Sequence, residues 1–181
     1  MTDADPFEAF VRKYQDMVFG LALRLLGRAV EAEDVAQTVF MKAFERFETI
    51  GGSATAGGWL KTVTTHLCLN HLSRYRARWR FFSEMARPDA EPDDEGYESR
   101  LASTASPAAD LERADAHARL ERSLRALPDH QRVPLVLFHF EQYSYHDIAA
   151  ALGVSVGKVK TDIHRGREVL RRQLTVDDAA S

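Results

Sequence analysis

The chain has 181 residues, of which 45% are apolar and 28% are charged, and its formal net charge at pH 7 is -3. This length fits one domain or two small ones, and the apolar fraction is sufficient to build their cores. The sequence has no apolar run of about 18 residues, as a membrane span requires. Its N-terminus carries acids where a signal peptide needs bases, so a soluble cytoplasmic protein is expected.

Two amphipathic helices are predicted at the N-terminus. From Phe7 to Leu26 apolar residues recur at threes and fours, and Gly27 is expected to end that helix. A second helix is predicted from Glu31 to Phe47, with a common inward face of small and branched residues: Ala32, Val35, Ala36, Val39 and Ala43.

The opposite side of the second helix has an unusual composition. Asp34, Gln37 and Met41 fall there, with Phe40 and Phe44 at its margin. Large aromatics beside a carboxylate and an amide favour a surface that another helix covers. The alternative is that both phenylalanines widen the core stripe, and periodicity alone leans toward this alternative.

Glycines, a serine and threonines between Glu48 and Gly58 predict a flexible loop. A third helix is predicted over residues 59–82, with Trp59, Leu60, Val63 and Leu67 buried. Its C-terminal part alternates arginines with aromatic residues and contains no acid, which favours a nucleic-acid surface, including one for single strands. The alternative is a solvated helix end whose arginine stems cover the aromatic rings.

Cys68 is the only cysteine, which excludes an intrachain disulfide, and it is expected to pack as a small apolar residue. His66 and His71 lie near it in sequence. Their spacings put the three side chains on diverging sides of a helix, which disfavours zinc binding. Neither a metal nor a cofactor is predicted.

Residues 83–110 are predicted to be an acidic, flexible linker, because they combine three prolines with little apolar periodicity. From Glu84 to Glu112 nine acids stand against two arginines, a local charge of -7. This linker divides the chain into one domain over residues 1–82 and a second over 111–176, with a disordered tail at 177–181.

The second domain is predicted to open with two helices. The first starts near Asp110 and ends around Ala126, with an apolar face of Leu111, Ala114, Ala118, Leu120 and Leu124. Pro128 suits the first turn of the next helix, which carries Val133, Val136, Leu137 and Phe140. Pro134 lies inside it and predicts a kink unless the helix starts later.

The segment from Ser144 to Leu174 predicts a short helix, a tight turn and a long basic helix. Ser144 and Asp147 form a capping box, Gly153 suits a left-handed turn and Ser155 caps the second helix. That helix carries six bases against Asp162 and Glu168, a local charge of +4. These are the parts of a DNA-binding helix-turn-helix, although a helical hairpin with a solvated basic face has the same pattern.

The order of these parts resembles an extracytoplasmic-function (group IV) sigma factor of the sigma-70 family. GRAVEAEDVAQTVFMKAFERF (27–47) and GWLKTVTTHLCLNHLSRYRARWR (58–80) are similar to sigma region 2, and residues 120–174 are similar to sigma region 4. The resemblance implies an all-α chain in which a region 2 three-helix bundle and a region 4 helix-turn-helix bundle flank the acidic linker. It also implies a factor that directs RNA polymerase to promoters and assists promoter melting.

Site residues follow from this resemblance. The core-polymerase surface, which docks on the clamp helices of the β′ subunit, would comprise Asp34, Gln37, Phe40, Met41 and Phe44. The minus 10 surface, which captures a flipped base, would comprise Gly51, Gly52, Ser53, Trp59, Asn70, Ser73, Arg74, Arg76 and Arg78. The minus 35 surface would comprise Ser155, Lys158, Lys160, Thr161, His164, Arg165 and Arg167.

Two positions in the basic helix depart from the family pattern, which often has a base or neutral polar residue near Asp162 and an alanine near Gly166. Asp162 could accept from a cytosine amine or repel phosphate, and Gly166 could lower helix stability or allow close packing. The implied partners are the polymerase core, including the β flap, promoter DNA and a separate anti-sigma factor, with no small-molecule substrate.

Two other function classes are weaker. A stand-alone repressor or activator needs a dimerisation surface, and no heptad seam is seen. An enzyme needs a phosphate-cradling glycine motif, a metal constellation or a nucleophile with a base, and the sequence offers none of them.

Overall fold

The structure is a computed structural model that describes residues 5–72 and 107–179, with side chains described at 5–72 and 114–175. Every regular element in these ranges is a helix, which confirms the predicted all-α class. No helix in the described ranges is long and apolar enough to cross a bilayer. The helices are α1 (Pro6–Leu26), α2 (Ala29–Glu45), α3 (Phe47–Ile50), α4 (Ala56–His71), α5 (Pro107–Ala126), α6 (Asp129–His139), α7 (Tyr145–Leu152) and α8 (Val156–Ala179).

The first unit is a bundle of α1, α2 and α4, each in contact with the other two. Asp5 caps α1 by accepting from the Phe7 N–H (3.0 Å), and Pro6 occupies the first turn. As predicted, Gly27 ends α1 in the left-handed conformation (φ 74°), and its N–H bonds to the Leu23 carbonyl. A buried core of Val18, Leu25 and Val39 holds these helices together.

The predicted loop at 48–58 is wrong at both ends. Residues 47–50 form α3, and the N–H of Gly51 closes it on the Phe47 carbonyl. Gly57 and Gly58 lie in the first turn of α4, where amides have no intrahelical partner to lose. Ala56 is buried and anchors this start. Only residues 51–55 join the two helices.

The third predicted helix is offset from α4, which runs over 56–71 rather than 59–82. Leu72 ends it, and residues 73–82 lie outside the described residues. Leu60 is fully buried as predicted, but Trp59, Val63 and Leu67 are only half-buried. Because α4 contacts both α1 and α2, a different and wider face is covered. Thr64 therefore lies in the core and donates its hydroxyl to the Leu60 carbonyl.

The second unit contains α5 to α8. Its first helix starts at Pro107, inside the stretch predicted as linker, because proline is favoured at the first position of a helix. Ala114 and Ala118 are exposed, contrary to the predicted apolar face, and the burial of α5 centres on Leu124. The rest of the predicted linker lies outside the described residues.

Two further boundaries differ from prediction. Pro128 is extended and precedes α6 as its N-cap instead of lying in its first turn, whereas Pro134 lies inside the helix. Phe140 follows the helix as its C-cap. The last helix continues to Ala179, so residues 177–179 are helical rather than a disordered tail. No glycine or proline interrupts the sequence from Glu168 to that point.

Candidate protein- and nucleic-acid-binding surfaces

One side of α2 forms an exposed stripe on the first unit. Asp34 and Gln37 are exposed, Met41 is 68% exposed and Phe44 is 64% exposed. The Phe44 ring meets the Phe7 ring edge to face, with centroids 5.0 Å apart. Phe44 is therefore outside the core, while Phe40 is half-buried and touches the core. Of the two alternatives for these phenylalanines, the core-stripe interpretation applies only to Phe40.

Val30 extends this stripe by one turn, and the sequence prediction missed it. It is 71% exposed. At about 100° per residue, Val30, Asp34, Gln37, Met41 and Phe44 fall within an arc of about 80°. These five residues are called the α2 stripe below. Three large apolar side chains flanking a carboxylate and an amide are typical of a protein-binding surface rather than of a solvated helix face.

The turn between α3 and α4 is fixed by local hydrogen bonds. Ser53 Oγ lies 2.8 Å from Thr55 Oγ1 and accepts from the Thr55 N–H. Gly51 lies against the ring of Phe47, where a Cβ would come within 2.6 Å of the ring, whereas Gly52 faces open space. The turn therefore has a fixed conformation and leaves open space beside Gly52.

Trp59 and Asn70 lie on one face of α4, which leads away from this turn. They are eleven residues apart, which is about 16 Å along a helix and close to three full turns. The exposed His66 lies between them on the same face. The predicted minus 10 residues of the described range thus lie in the turn, at 51–53, and along one side of α4. Ser73, Arg74, Arg76 and Arg78 lie outside the described residues.

The helix-turn-helix forms as predicted. Ser144 Oγ accepts from the Asp147 N–H (3.1 Å), and the Asp147 carboxylate accepts from the Ser144 N–H (3.3 Å). These bonds to Ser144 lower the pKa of the Asp147 carboxyl. Gly153 ends α7 in the left-handed conformation (φ 68°), and Ser155 caps α8 by accepting from the Lys158 N–H. A serine side chain therefore caps the start of each helix, and the left-handed Gly153 ends α7.

The predicted minus 35 residues do not all face solvent. Ser155, Lys160, His164 and Arg165 are exposed, and Thr161 is half-buried and donates its hydroxyl to the Gly157 carbonyl. Lys158 differs from this set, because its ammonium lies 2.8 and 2.6 Å from the two carboxylate oxygens of Asp162. The two side chains are only 10% and 6% exposed.

Asp162 is consequently a partner of Lys158 inside the fold. Burial raises the pKa of its carboxyl, even though Lys158 acts in the opposite direction. Neither of the roles considered from the sequence, accepting from a cytosine or repelling phosphate, fits a carboxylate in this position. Gly166 is also explained by packing, because a Cβ there would lie 2.9 Å from the Leu135 side chain.

Two stacked aromatic rings from other helices lie against two of the basic side chains on α8. The rings of Phe138 and Tyr145 stack with centroids 4.7 Å apart. Lys160 Nζ lies 5.7 Å from the Tyr145 centroid, and the Arg167 guanidinium lies 5.6 Å from the Phe138 centroid. Arg167 Nε also donates to His139 Nε2 (3.0 Å). Partial desolvation, and then the Arg167 charge, lower the pKa of His139.

These supporting residues come from α6 and α7, so no local pattern in the α8 sequence reveals them. Their effect is to hold the stems of Lys160 and Arg167 in defined orientations. A long basic side chain that is already oriented loses less rotamer freedom when it binds. The basic face of α8 is in this respect preorganised.

Comparison with known proteins identifies the family of the chain. A family model described as Sigma-70 region 2 matches residues 10–79, and one described as Sigma-70, region 4 matches residues 117–170. The chain is 30% identical to the ECF RNA polymerase sigma factor SigW of Bacillus subtilis, over 95% of this chain and 90% of that protein. It is 34% identical to the RNA polymerase sigma-H factor of Pseudomonas aeruginosa, over 95% and 88% of the two chains.

Among solved structures, the sigma factor RpoE from Bartonella quintana in complex with the anti-sigma factor NepR is 18% identical, with a TM-score of 0.48 over 96% of this chain and 99% of that one. The two family matches together span more than half of the chain, in the order region 2 then region 4. The chain belongs to the sigma-70 family of RNA polymerase sigma factors, in its extracytoplasmic-function branch.

Proposed function

We propose that this sigma factor makes three different contacts through three separate surfaces. It directs RNA polymerase to promoters and is not itself an enzyme. The α2 stripe binds the core enzyme at the clamp helices of the β′ subunit. The turn at 51–55 and the adjoining face of α4 hold the minus 10 element. The basic face of α8 reads the minus 35 element, with the second unit beside the β flap.

The observation that carries this proposal is the exposure of the α2 stripe. Met41 and Phe44 are the largest apolar side chains in it, and both are more than half exposed in the packed chain. Asp34 and Gln37 lie between them and Val30, and they supply polar contacts that fix the register of a partner helix. A protein that covers the same stripe would prevent core binding, and we expect a cognate anti-sigma factor to act in this way.

The minus 10 role rests on the turn before α4. Extruding a base from a duplex costs a few kcal/mol, which a shaped pocket and stacking can offset. Gly52 leaves room at the edge of the turn, and Ser53 and Thr55 supply hydroxyls there. Trp59 is the nearest aromatic residue on α4. We assign Ser73, Arg74, Arg76 and Arg78 to the same element from the family resemblance alone.

The minus 35 role rests on the exposed bases of α8. Lys160 and Arg165 are available for phosphate and base contacts, and His164 lies beside them. Lys158 is assigned a positioning role, because its ammonium is held by Asp162. Promoter DNA and polymerase core are the partners in this proposal, no cofactor or small-molecule substrate takes part, and the cytoplasm is where both partners are found.

Core binding and transcription test the proposal together. The full chain with Asp34→Asn is compared with Glu33→Gln, an exposed acid next to it that lies off the stripe. We expect weaker retention of core polymerase by the Asp34 variant and unchanged retention by the Glu33 variant. Runoff transcription with start-site mapping then shows whether the chain redirects the polymerase. Equal retention of both variants would refute docking through the α2 stripe.

A further inference from the structure

A histidine at the end of α6 holds one of the bases of α8. His139 is the last residue of α6, and its Nε2 lies 3.0 Å from Arg167 Nε. The nitrogens of a guanidinium are hydrogen-bond donors only, and the group does not lose its proton in proteins. The contact therefore requires a lone pair on Nε2. It follows that the His139 ring in this arrangement is neutral and carries its proton on Nδ1.

Aromatic contacts fix the position of both groups. The Phe138 ring meets the His139 ring edge to face, with centroids 5.0 Å apart, and Phe138 is itself stacked on Tyr145. The Arg167 guanidinium lies 5.6 Å from the Phe138 centroid, within the range of a cation–π contact. Arg167 is thus held by two neighbouring residues of α6, one through a hydrogen bond and one through its ring.

The contact through Nε leaves the two terminal nitrogens of Arg167 for another partner. In the part of the chain that the structure describes, neither Nη1 nor Nη2 has a hydrogen-bond acceptor. Two terminal nitrogens form the fork that binds a phosphate through parallel hydrogen bonds. Arg167 lies about two turns after the exposed Lys160, so about 20° separates the two residues around the helix axis. Both bases therefore lie on the same side of α8.

We propose that His139 is a positioning residue for minus 35 recognition: its neutral ring binds Arg167 Nε and so directs the terminal nitrogens of Arg167 at a DNA phosphate, and protonation of the ring ends this support. The inference rests on the proposed function, in which the basic face of α8 binds the minus 35 element. It adds to that function a dependence of promoter binding on pH.

Protonation of His139 acts on Arg167 in two ways. The Nε2 lone pair becomes an N–H donor, so the hydrogen bond is lost, and two positive charges then face each other across the same short distance. Within the described residues Arg167 of α8 is the charged group that acts on the ring, and α7 contributes the Tyr145 phenol behind Phe138. Partial burial, and then the Arg167 charge, lower the pKa of His139 from its ordinary value of 6.5. The support is therefore complete at neutral pH and is lost as the pH falls through the lowered pKa.

Nitrogen NMR of the full chain tests the protonation state of the ring. At pH 7.5 we expect His139 Nε2 to give the signal of an unprotonated ring nitrogen and Nδ1 that of a protonated one. The Nε proton of Arg167 should exchange with water more slowly than that of Arg165, an exposed base on the same helix. Both signatures should disappear as the pH is lowered to 5.0.

DNA binding by the complex with core polymerase tests the function of the contact. The probe is a labelled duplex with the upstream part of a promoter located by start-site mapping. At pH 7.5 His139→Gln should bind within about twofold of the wild type, because its amide oxygen still accepts from Arg167. His139→Leu should bind about fivefold more weakly, the effect of one lost hydrogen bond. His139 is exposed, so neither substitution opens a cavity.

Two comparisons separate positioning from a structural role. The double variant His139→Leu/Arg167→Ala should bind no more weakly than Arg167→Ala, because His139 acts through Arg167. At pH 5.0 the wild type should bind about fivefold more weakly than His139→Gln, since glutamine does not titrate. Comparison at one pH cancels the charge that the other histidines gain. His117→Gln is the matched control, because His117 pairs with Glu121 of its own helix, and it should keep the pH dependence of the wild type.

Three results would overturn the positioning role. The first is a proton on His139 Nε2 at pH 7.5, and the second is equal affinity of His139→Leu and the wild type at that pH. The third is the same pH dependence for the wild type and His139→Gln. A complex that binds the promoter duplex no better than a scrambled duplex would instead overturn the proposed minus 35 function, whereas the NMR result on the free chain does not depend on it.

Discussion

Breaking the Lys158–Asp162 pair should destabilise the second unit, whereas replacing the whole pair should not. Asp162→Ala leaves the Lys158 ammonium without its partner at 10% side-chain exposure. Removing one partner of a buried pair costs about 3–5 kcal/mol. Lysine can extend its ammonium toward solvent, so a value near the lower limit is expected, about 3 kcal/mol. For a chain of this size that is a fall of about 6–12 °C in Tm.

The double variant Lys158→Met/Asp162→Leu separates a structural role from a DNA-reading role. Burial raises the pKa of Asp162 in spite of Lys158, and taking both charges of a buried pair out of water offsets much or all of their attraction. An apolar pair of similar size should therefore be as stable as the wild type or more stable, by about 1–4 kcal/mol. Urea unfolding of the wild type, Lys158→Met, Asp162→Leu and the double variant gives the coupling between the two sites, and Asp162→Ala is measured beside them.

The cycle is paired with DNA binding so that either result is informative. We expect Asp162→Ala to lose stability, and the double variant to keep both its fold and its preference among duplexes that differ at one base pair. The reasoning would be refuted if Asp162→Ala kept full stability and changed that preference. Such a result would mean that the carboxylate reads a base and that the pair opens on binding.

Three further outcomes are expected. Leu60→Ala should lower the free energy of unfolding in urea by about 2–5 kcal/mol. Val30→Ala, on the exposed stripe, should change it by no more than about 0.5 kcal/mol, and equal losses for the two variants would contradict the assigned core. The pKa of His139 is lowered in the folded chain, so its stabilising contribution is complete above the unfolded value of about 6.5 and is lost as the pH falls below it. His139→Gln should thus lose less stability between pH 7.5 and pH 5.5 than the wild type, and an equal loss would contradict this. Lys160→Ala should reduce the salt slope of binding to a short duplex by about 0.9, whereas Lys158→Ala should leave it unchanged; two equal reductions would show that both bases reach phosphate.

Sequence reasoning succeeded where structure depends on neighbouring residues. Gly27 and Gly153 end their helices because only a left-handed residue fits there, and Ser144 starts α7 through bonds to its own first turn. These features involve residues no more than four positions apart. The recurrence of apolar residues at threes and fours likewise identified the buried face of α2 correctly.

Prediction failed where packing between distant segments decides the outcome. Glycines at 57 and 58 suggested a loop, but the buried Ala56 and the contacts of α4 with two helices fix a helix there. The family resemblance places Lys158 among the DNA contacts, and no local pattern shows that other elements cover this part of α8. The Lys158 ammonium instead meets a carboxylate one turn away, and both are covered by the fold. The packing of α1 against α5 and α6 in a continuous core was not foreseen, since an acidic linker predicts separation.

The number of bases on α8 that can contact DNA depends on which of them are held by other residues of the fold. Its sequence holds six bases, which at about 0.9 per neutralised phosphate would allow a salt slope of about -5.4. Lys158 is neutralised within the fold, and Arg167 is held by His139 and Phe138. Five bases remain as candidates, and two of these, Lys160 and Arg167, are already oriented. Contacts to phosphates fix the register of a protein on DNA, whereas contacts to base edges select the sequence. A smaller set of basic side chains with defined orientations therefore favours discrimination between DNA sequences over attraction to any DNA. Asp162→Ala should therefore release a sixth cation that has no defined position, and this cation should strengthen binding to all duplexes alike.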